Sequence, residues 1–115
     1  MKLVKSILAL LLLSFSVNAQ IIKRSELLGQ VTDASISIQM MFSDSVEAYV
    51  EYGPNSGALT NSTPVKNFYP DSMGVFVIGN LQSNTQYYYR VQCRHWGAGQ
   101  YSPRPQYQFH TQRPI

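Results

Sequence analysis

Residues 81–91 constrain the fold of this chain more than any other segment, because a polar turn leads there directly into a tyrosine-rich strand. Residues 82–85 are turn formers, and Tyr87, Tyr89 and Val91 then alternate with polar side chains. In a Greek-key β-sandwich, a tyrosine at the start of such a strand bonds through its hydroxyl to the backbone of the preceding loop. We therefore predict that Tyr87 ties the crossover between two sheets.

Alternation of apolar and polar residues recurs along the rest of the chain, whereas helical periodicity is absent. Residues 35–42 and 46–52 alternate on either side of a short polar turn, which is typical of a hairpin. Further strands are predicted at residues 27–31, 58–70 (a short edge strand and a loop), 73–81, 85–95 and 105–111. Together these segments predict an all-β, seven-stranded antiparallel Greek-key sandwich.

The alternation also indicates which side chains face the core, except in residues 73–81. In that segment either Val75 and Val77 or Phe76 and Ile78 point inward, and both choices stay open.

The single cysteine, Cys93, excludes a disulfide within the chain, so apolar packing has to stabilise the fold. Cys93 shares the inward register of Tyr87 and Tyr89, and we predict that it is a buried, small apolar residue. An intermolecular disulfide or a reactive thiol is the alternative.

Residues 1–19 have the layout of a secretory signal peptide. Lys2 and Lys5 supply the positive start, residues 7–13 the apolar middle, and residues 17–19 the small-residue cleavage site. A membrane anchor is the alternative, but a spanning helix needs about 20 apolar residues. We therefore predict a secreted or periplasmic protein with no membrane contact after the signal peptide is removed.

The remaining residues, 20–115, are enough for one domain with one core. The whole chain has nine Lys plus Arg and six Asp plus Glu, hence a net charge of +3. Lys2 and Lys5 belong to the signal peptide, so seven basic and six acidic residues remain, a difference of +1. This balance gives no support for a nucleic-acid partner.

The sequence contains no recognisable catalytic motif. His95 and His110 belong to no metal-binding pattern, and no serine lies in a G-x-S-x-G elbow. The stretch Gly97-Ala98-Gly99 lacks the third glycine and the following helix of a phosphate-binding loop. We therefore expect no metal, no cofactor and no enzymatic activity of the chain on its own.

Basic and aromatic side chains share the outward side of the strand at residues 85–95. Tyr88, Arg90 and Arg94 could together bind single-stranded nucleic acid or an anionic sugar. The interpretation that we favour is cross-strand pairing with Glu47 and Glu51, since such pairs explain the same residues.

Trp96 and Tyr101 lie in a predicted flexible loop, residues 96–103. Loop aromatics on a rigid sandwich can contact a sugar or a protein, so both residues are candidates for partner contact. Alternatively, Trp96 folds back and covers the end of the core.

Four stretches in order carry a family resemblance. Residues 29–40 read G-x-x-T-D-x-S-I-S-I-x-M, Val50-Glu51-Tyr52-Gly53 follows, and Phe109-His110-Thr111 closes the last strand. Residues 81–91 are similar to the L-x-P-x-T-x-Y-x-Y-R-V of fibronectin type III-like domains, with Ser83 at the proline position. Together they resemble the non-catalytic N-terminal domain of purple acid phosphatases and alkaline phosphatase D-type metallophosphoesterases.

The resemblance implies a fibronectin type III or immunoglobulin-like sandwich over residues 20–115, with Met40 where many such domains bury a tryptophan. It also implies that every metal ligand belongs to a catalytic domain that this chain lacks. The expected function is an exported, non-catalytic module whose partner is a metallophosphoesterase catalytic domain, the chain being a truncated product. The alternative is a free-standing secreted module that binds a glycan or a cell-surface protein.

Overall fold

The computed structural model of the chain describes residues 21–114, which form two antiparallel sheets without any helix. The predicted signal peptide lies outside these residues. No helix able to cross a membrane is found in the described part. The strands in chain order are β1 (Ile22–Gly29), β2 (Ile36–Phe42), β3 (Val46–Gly53), β4 (Asn61–Ser62), β5 (Lys66–Phe68), β6 (Met73–Ile78), β7 (Gln86–His95), β8 (Ser102–Pro103) and β9 (Tyr107–His110).

The small sheet has the order β1-β2-β6, and the large sheet has the order β4-β3-β7-β8, with β5 also paired to β3 and β9 to β7. β4 and β5 are two pieces of one edge of the large sheet, and β8 and β9 are two pieces of the other. Pro64 and Pro105 lie in the gaps, where a residue without an N–H cannot continue a strand. The predicted seven-stranded antiparallel sandwich is confirmed, with both edge positions of the large sheet interrupted.

The core lies between the sheets and follows the predicted alternation of the hairpin. All four inward side chains of β2 are buried, and those of β3 are buried except Tyr52, which is partly buried. The inward side chains of β7 complete the centre of the core, and Cys93 lies among them as predicted. The buried apolar residues are Ile21, Ile36, Ile38, Met40, Phe42, Val46, Ala48, Val50, Phe68, Phe76, Ile78, Leu81, Tyr87, Tyr89, Val91, Cys93 and Phe109.

The structure decides the orientation of β6. Phe76 and Ile78 are buried, whereas Val77 is exposed, and the strand ends at Ile78 rather than at residue 81. Phe68 lies over Gly74, where the Cβ of any other residue would overlap the phenyl ring. This close approach brings Phe68 against Phe76 inside the core, with ring centroids 5.3 Å apart.

The predicted opening strand at residues 27–31 was placed too late, because β1 runs from Ile22 to Gly29. The register between β1 and β2 shifts twice, between Ile22 and Arg24 and again between Arg24 and Leu27. Bulges of this kind break the alternation that identifies a strand in a sequence.

Two other segments also hold more strand than predicted. The expected flexible loop at residues 96–103 contains β8, and residues 58–70 contain both β4 and β5 instead of one edge strand. Strands of two or three residues are too short to show alternation, so only their pairing reveals them.

The corner between β6 and β7 contains the predicted tyrosine bond. The backbone N–H of Gln82 donates to the Tyr87 hydroxyl at 2.9 Å. The buried Thr111 hydroxyl accepts from the Thr85 N–H at 2.9 Å and donates to the Gln82 carbonyl at 2.6 Å. Asn84 takes a positive φ of 48° in this turn, and its N–H donates to the Gln112 carbonyl. The loop between the sheets is therefore bound to both β7 and the chain end of β9.

Candidate interaction surface

The outer side of the large sheet carries most of the residues predicted to contact a partner. The register of β3 and β7 places Glu47 opposite Arg94 and Glu51 opposite Arg90. Arg94 Nη2 lies 2.6 Å from Glu47 Oε2, and Arg90 Nη2 lies 2.9 Å from Glu51 Oε2. The cross-strand pairing that the sequence favoured is confirmed.

Further side chains complete this polar network. Gln92 Nε2 donates to Glu51 Oε1 at 2.9 Å, so this carboxylate accepts from two neighbours on β7. The hydrogen bond with Glu47 raises the pKa of Arg94 above its ordinary value. Burial, followed by the nearby Glu51 carboxylate, raises the pKa of Tyr49. Arg94 therefore stays protonated and Tyr49 stays neutral near neutral pH.

Tyr101 joins this network from the edge of the sheet. Its ring meets Tyr49 edge-to-face, with centroids 4.9 Å apart and planes at 79°. The guanidinium carbon of Arg94 lies 4.4 Å from the Tyr101 ring centroid, within the range of a cation–π contact. Although Tyr101 belongs to a predicted loop, the sheet positions it.

Trp96 lies beyond the end of the large sheet, in the turn that follows β7, and 55% of it is exposed. Its backbone N–H donates to the Ser45 carbonyl at 3.1 Å, which attaches this turn to the β2–β3 hairpin. Gly97 follows with a φ of 79°, a left-handed conformation that favours glycine. The indole is not part of the buried core, so the alternative in which it covers the core is wrong.

Tyr88 is separate from the other candidates. It lies near the start of β7, opposite Gly53 on one side and Gln108 on the other. The structure therefore brings Arg90, Arg94 and Tyr101 together and leaves Trp96 and Tyr88 toward opposite ends of the sheet.

Tyr88 lines an open cleft of about 570 Å³ between β1 and β9 that the sequence did not indicate. Glu26 lies at this cleft with a fully buried side chain, and its Oε1 is 2.9 Å from Arg104 Nη2. Its second oxygen, Oε2, has no hydrogen-bond partner among the residues that the structure describes. Burial, and then the Glu26 charge, raise the pKa of Tyr89 to about 12. The full lining is Glu26, Leu28, Ser56, Tyr88, Tyr89, Gln106, Tyr107 and Gln108.

Titratable side chains elsewhere are dispersed. Within residues 21–114, no three His, Cys, Asp or Glu side chains are placed to hold a metal ion. His95 lies at the end of β7 with its Nδ1 3.4 Å from Asp44, and His110 is exposed at the end of β9. Burial raises the pKa of the Cys93 thiol to about 11, so the thiol stays protonated at neutral pH.

The sequence also gave no indication of an apolar surface on the outer side of the small sheet. We call it the small-sheet face, and it consists of the outward side chains Leu27, Gln39, Met41, Met73, Val75 and Val77. The sequence bore on this surface at one point, the open choice of whether Val75 and Val77 or Phe76 and Ile78 point inward. The structure was needed to make that choice.

Comparisons with solved structures identify the fold. The sensor domain of the anti-sigma factor RsgI4 of Pseudobacteroides cellulosolvens superposes with a TM-score of 0.59 at 12% identity, over 81% of this chain and 96% of that chain. The fibronectin type-III domain of human fibronectin type III domain containing protein 3 gives 0.56 at 17% identity, over 79% and 84%. PhoD gives 0.53 at 13% identity, over 77% of this chain but only 19% of that chain.

No protein-family model matches the chain, and no curated protein sequence matches it. At identities this low the structural similarity shows the fold alone. The described residues are a fibronectin type III-like β-sandwich module.

Proposed function

We propose that this chain is an exported, non-catalytic module that packs against a metallophosphoesterase catalytic domain through the end of the large sheet. The observation that carries the proposal is the half-exposed indole of Trp96 on a turn attached to the neighbouring hairpin. An aromatic residue whose backbone is held in this way loses less conformational freedom on binding than one in a loose loop, which favours it as an interface anchor.

Arg94 and Tyr101 lie on the outer side of the same sheet and are the next candidates for this contact. They lie two residues before and five residues after Trp96 in the sequence, and their cation–π contact orders both side chains. Tryptophan, tyrosine and arginine are the residue types that dominate binding energy at protein interfaces. The pattern of residues 81–91, together with a likeness to PhoD over only 19% of that chain, supports an accessory domain as the origin of this module.

The predicted signal peptide and the single buried cysteine are consistent with export. A non-catalytic role agrees with the dispersed positions of His95, His110 and the carboxylates in the described part of the chain.

The second candidate function is a free-standing secreted module that binds a glycan. The cleft beside Tyr88 favours it, because tyrosine rings and glutamine amides line an open depression of about 570 Å³. Aromatic rings and side-chain amides recognise the apolar faces and the hydroxyl groups of sugars.

Reading the DNA downstream of the Ile115 codon is the first test. A D-x-H signature followed by G-D and G-N-H-[DE] signatures would supply the partner domain for a titration. We then expect Trp96→Ala to weaken binding of that domain about tenfold or more. Tyr69→Ala, which also removes an exposed aromatic side chain, is the control and should leave binding unchanged.

A glycan array tests the second candidate function. Binding of the wild-type chain on a glycan array, lost in Tyr107→Ala but kept in Trp96→Ala, would replace the proposed function with the glycan-binding one. An unrelated downstream sequence without array binding would contradict both functions.

A further inference from the structure

The small-sheet face and the residues that border it, Arg24, Gly29 and Ser37, form three rows that cross the strands. The register places Arg24, Met41 and Met73 in one row and Leu27, Gln39 and Val75 in the next. Gly29, Ser37 and Val77 form the third row. Alternate residues of β2 and β6 face the core, and the β1 residues paired with the outward residues of β2 lie on the same side, so these rows form the outer surface of the sheet.

This face exposes large apolar side chains. Leu27 is 64% exposed, Met73 46% and Val77 70%. A groove of about 420 Å³ runs beside Leu27, Gln39 and Met73 and reaches Arg24. Arg24 is the only charged residue in the three rows, and it forms no ion pair with any residue that the structure describes. A contiguous apolar patch of this kind is typical of an interaction surface.

We propose that the small-sheet face binds the same face of a second copy of this chain, around a two-fold axis that runs along β2. With this axis, β1 of one copy faces β6 of the other. Each row faces the same row of the other copy. Val77 then faces Gly29 of the second copy, where the Ser37 hydroxyl lies in the space that a Cβ would take, so the most exposed side chain of the face meets a small group. Leu27 faces Val75 of the second copy in the same way.

Charge complementarity selects this axis. Arg24 faces Met73 of the second copy, two residues from Asp71. The Asp71 carboxylate is well exposed, and among residues 21–114 its one ion pair is with Lys23 of its own chain, at 2.8 Å, so it can accept a second cation. An axis across the strands would instead place Arg24 opposite Gly29, at the far end of the face from Asp71.

The polar centre of the face favours a second copy over a lipid surface. Gln39 lies in the middle row, and the two-fold axis brings its amide against Gln39 of the other copy. Two amides can donate and accept hydrogen bonds reciprocally. In hydrocarbon, the amide of Gln39 and the hydroxyl of Ser37 would be buried without such partners, which is unfavourable.

The size of the face sets the strength of the dimer. Three strands about 4.8 Å apart and about six residues long cover a footprint of about 14 by 20 Å. This is smaller than the interface of a lasting complex, so we expect a dimer that dissociates on dilution.

Sedimentation velocity of the folded protein, expressed from the full chain, tests association at protein concentrations from about 1 μM to about 1 mM. We expect a monomer–dimer equilibrium that Val77→Glu and Leu27→Glu each weaken about tenfold or more, since each buries an unpaired charge in an apolar contact. Both side chains are mostly exposed, so neither change should impair folding. Trp96→Glu is the matched control and should leave association unchanged, which also separates this inference from the proposed function.

Cysteine pairs test the axis. Leu27→Cys mixed with Val75→Cys should form a crosslinked dimer on mild oxidation, whereas each variant alone should stay uncrosslinked. Crosslinking of each variant with itself would instead support the axis across the strands and overturn the proposed one. A chain that stays monomeric over the whole range, or a dimer that both Glu variants leave intact, would overturn the small-sheet face as the interface.

Discussion

The two outer surfaces of this sandwich differ in how far their side chains are satisfied. On the large sheet, Glu47 and Glu51 bind the arginines of the neighbouring strand, and Tyr101 packs over Arg94. On the small sheet, Leu27 and Val77 face outward without comparable partners in the described residues. Charged and aromatic residues, which attract attention in a sequence, can therefore be paired with each other. Plain aliphatic residues can form the surface that remains available.

The corner between the sheets should contribute more to stability than either outer surface. Of the changes considered, Thr111→Val should lower the free energy of unfolding most. The variant keeps the shape of the side chain but removes the partner of the Thr85 N–H and the Gln82 carbonyl. We expect a loss of about 2 to 3 kcal/mol in the free energy of unfolding. Urea denaturation would measure it, and a loss below about 0.5 kcal/mol would contradict the role of Thr111.

Tyr87→Phe should have the next largest effect. The ring remains packed against Phe109, whose centroid is 5.6 Å away, but the Gln82 N–H loses its acceptor. We expect a loss of about 1 to 2 kcal/mol in the free energy of unfolding. Tyr107→Phe is the control, because its ring is partly exposed and its hydroxyl forms no hydrogen bond within the described residues. An unchanged unfolding midpoint for Tyr87→Phe would refute the corner bond.

Substitutions on the two outer surfaces should change the free energy of unfolding less than those at the corner. Glu51→Ala leaves Arg90 and Gln92 without their carboxylate, and we expect a loss of about 1 kcal/mol. Val77→Thr changes an exposed strand position to another β-branched residue and should stay within about 0.5 kcal/mol. Denaturation at low protein concentration, where a dimer does not contribute, measures both. Equal losses would mean that the surfaces do not differ in this respect.

Alkaline pH should destabilise the fold through buried groups of the core rather than through either outer surface. This loss of stability is absent at neutral pH. The pKa of Cys93 is raised to about 11 and that of Tyr89 to about 12, both chiefly by burial. Between the ordinary and the raised pKa the folded state binds more protons than the unfolded state, so stability falls as the pH rises above about 9. Cys93→Ala should make this fall shallower between about pH 9 and 11. Thermal unfolding at several pH values would measure it, and parallel curves for the two proteins would contradict the assignment.

How much of this fold the sequence predicts depends on whether a strand alternates. β2, β3 and β7 are long and regular, so periodicity alone identified them and their buried faces. β1 carries two register shifts that hide its pattern. β6 fits either register in the sequence, and its pairing with β2, which puts Phe76 opposite the buried Ile38, shows which side faces the core.

The candidate surface could also be predicted from the sequence only in part. The pairs of Arg90 and Arg94 could be predicted, because neighbouring strands with opposite charges at outward positions indicate them. The role of Thr111 could not, since its partners lie in a loop 26 to 29 residues away. The small-sheet face also needed the structure, because it joins residues from three separate strands.

The interrupted edges of the large sheet limit how this module can assemble. Pro64 and Pro105 leave only short runs of free backbone groups along its two sides. In the small sheet, β1 is irregular, and Lys66 Nζ binds the Val75 carbonyl at the border of β6. Within residues 21–114, every edge therefore carries an interruption, an irregularity or a bound carbonyl, which makes edge-to-edge addition of copies into a fibril unfavourable. Crowding this module at high density should therefore produce discrete particles, and not amyloid.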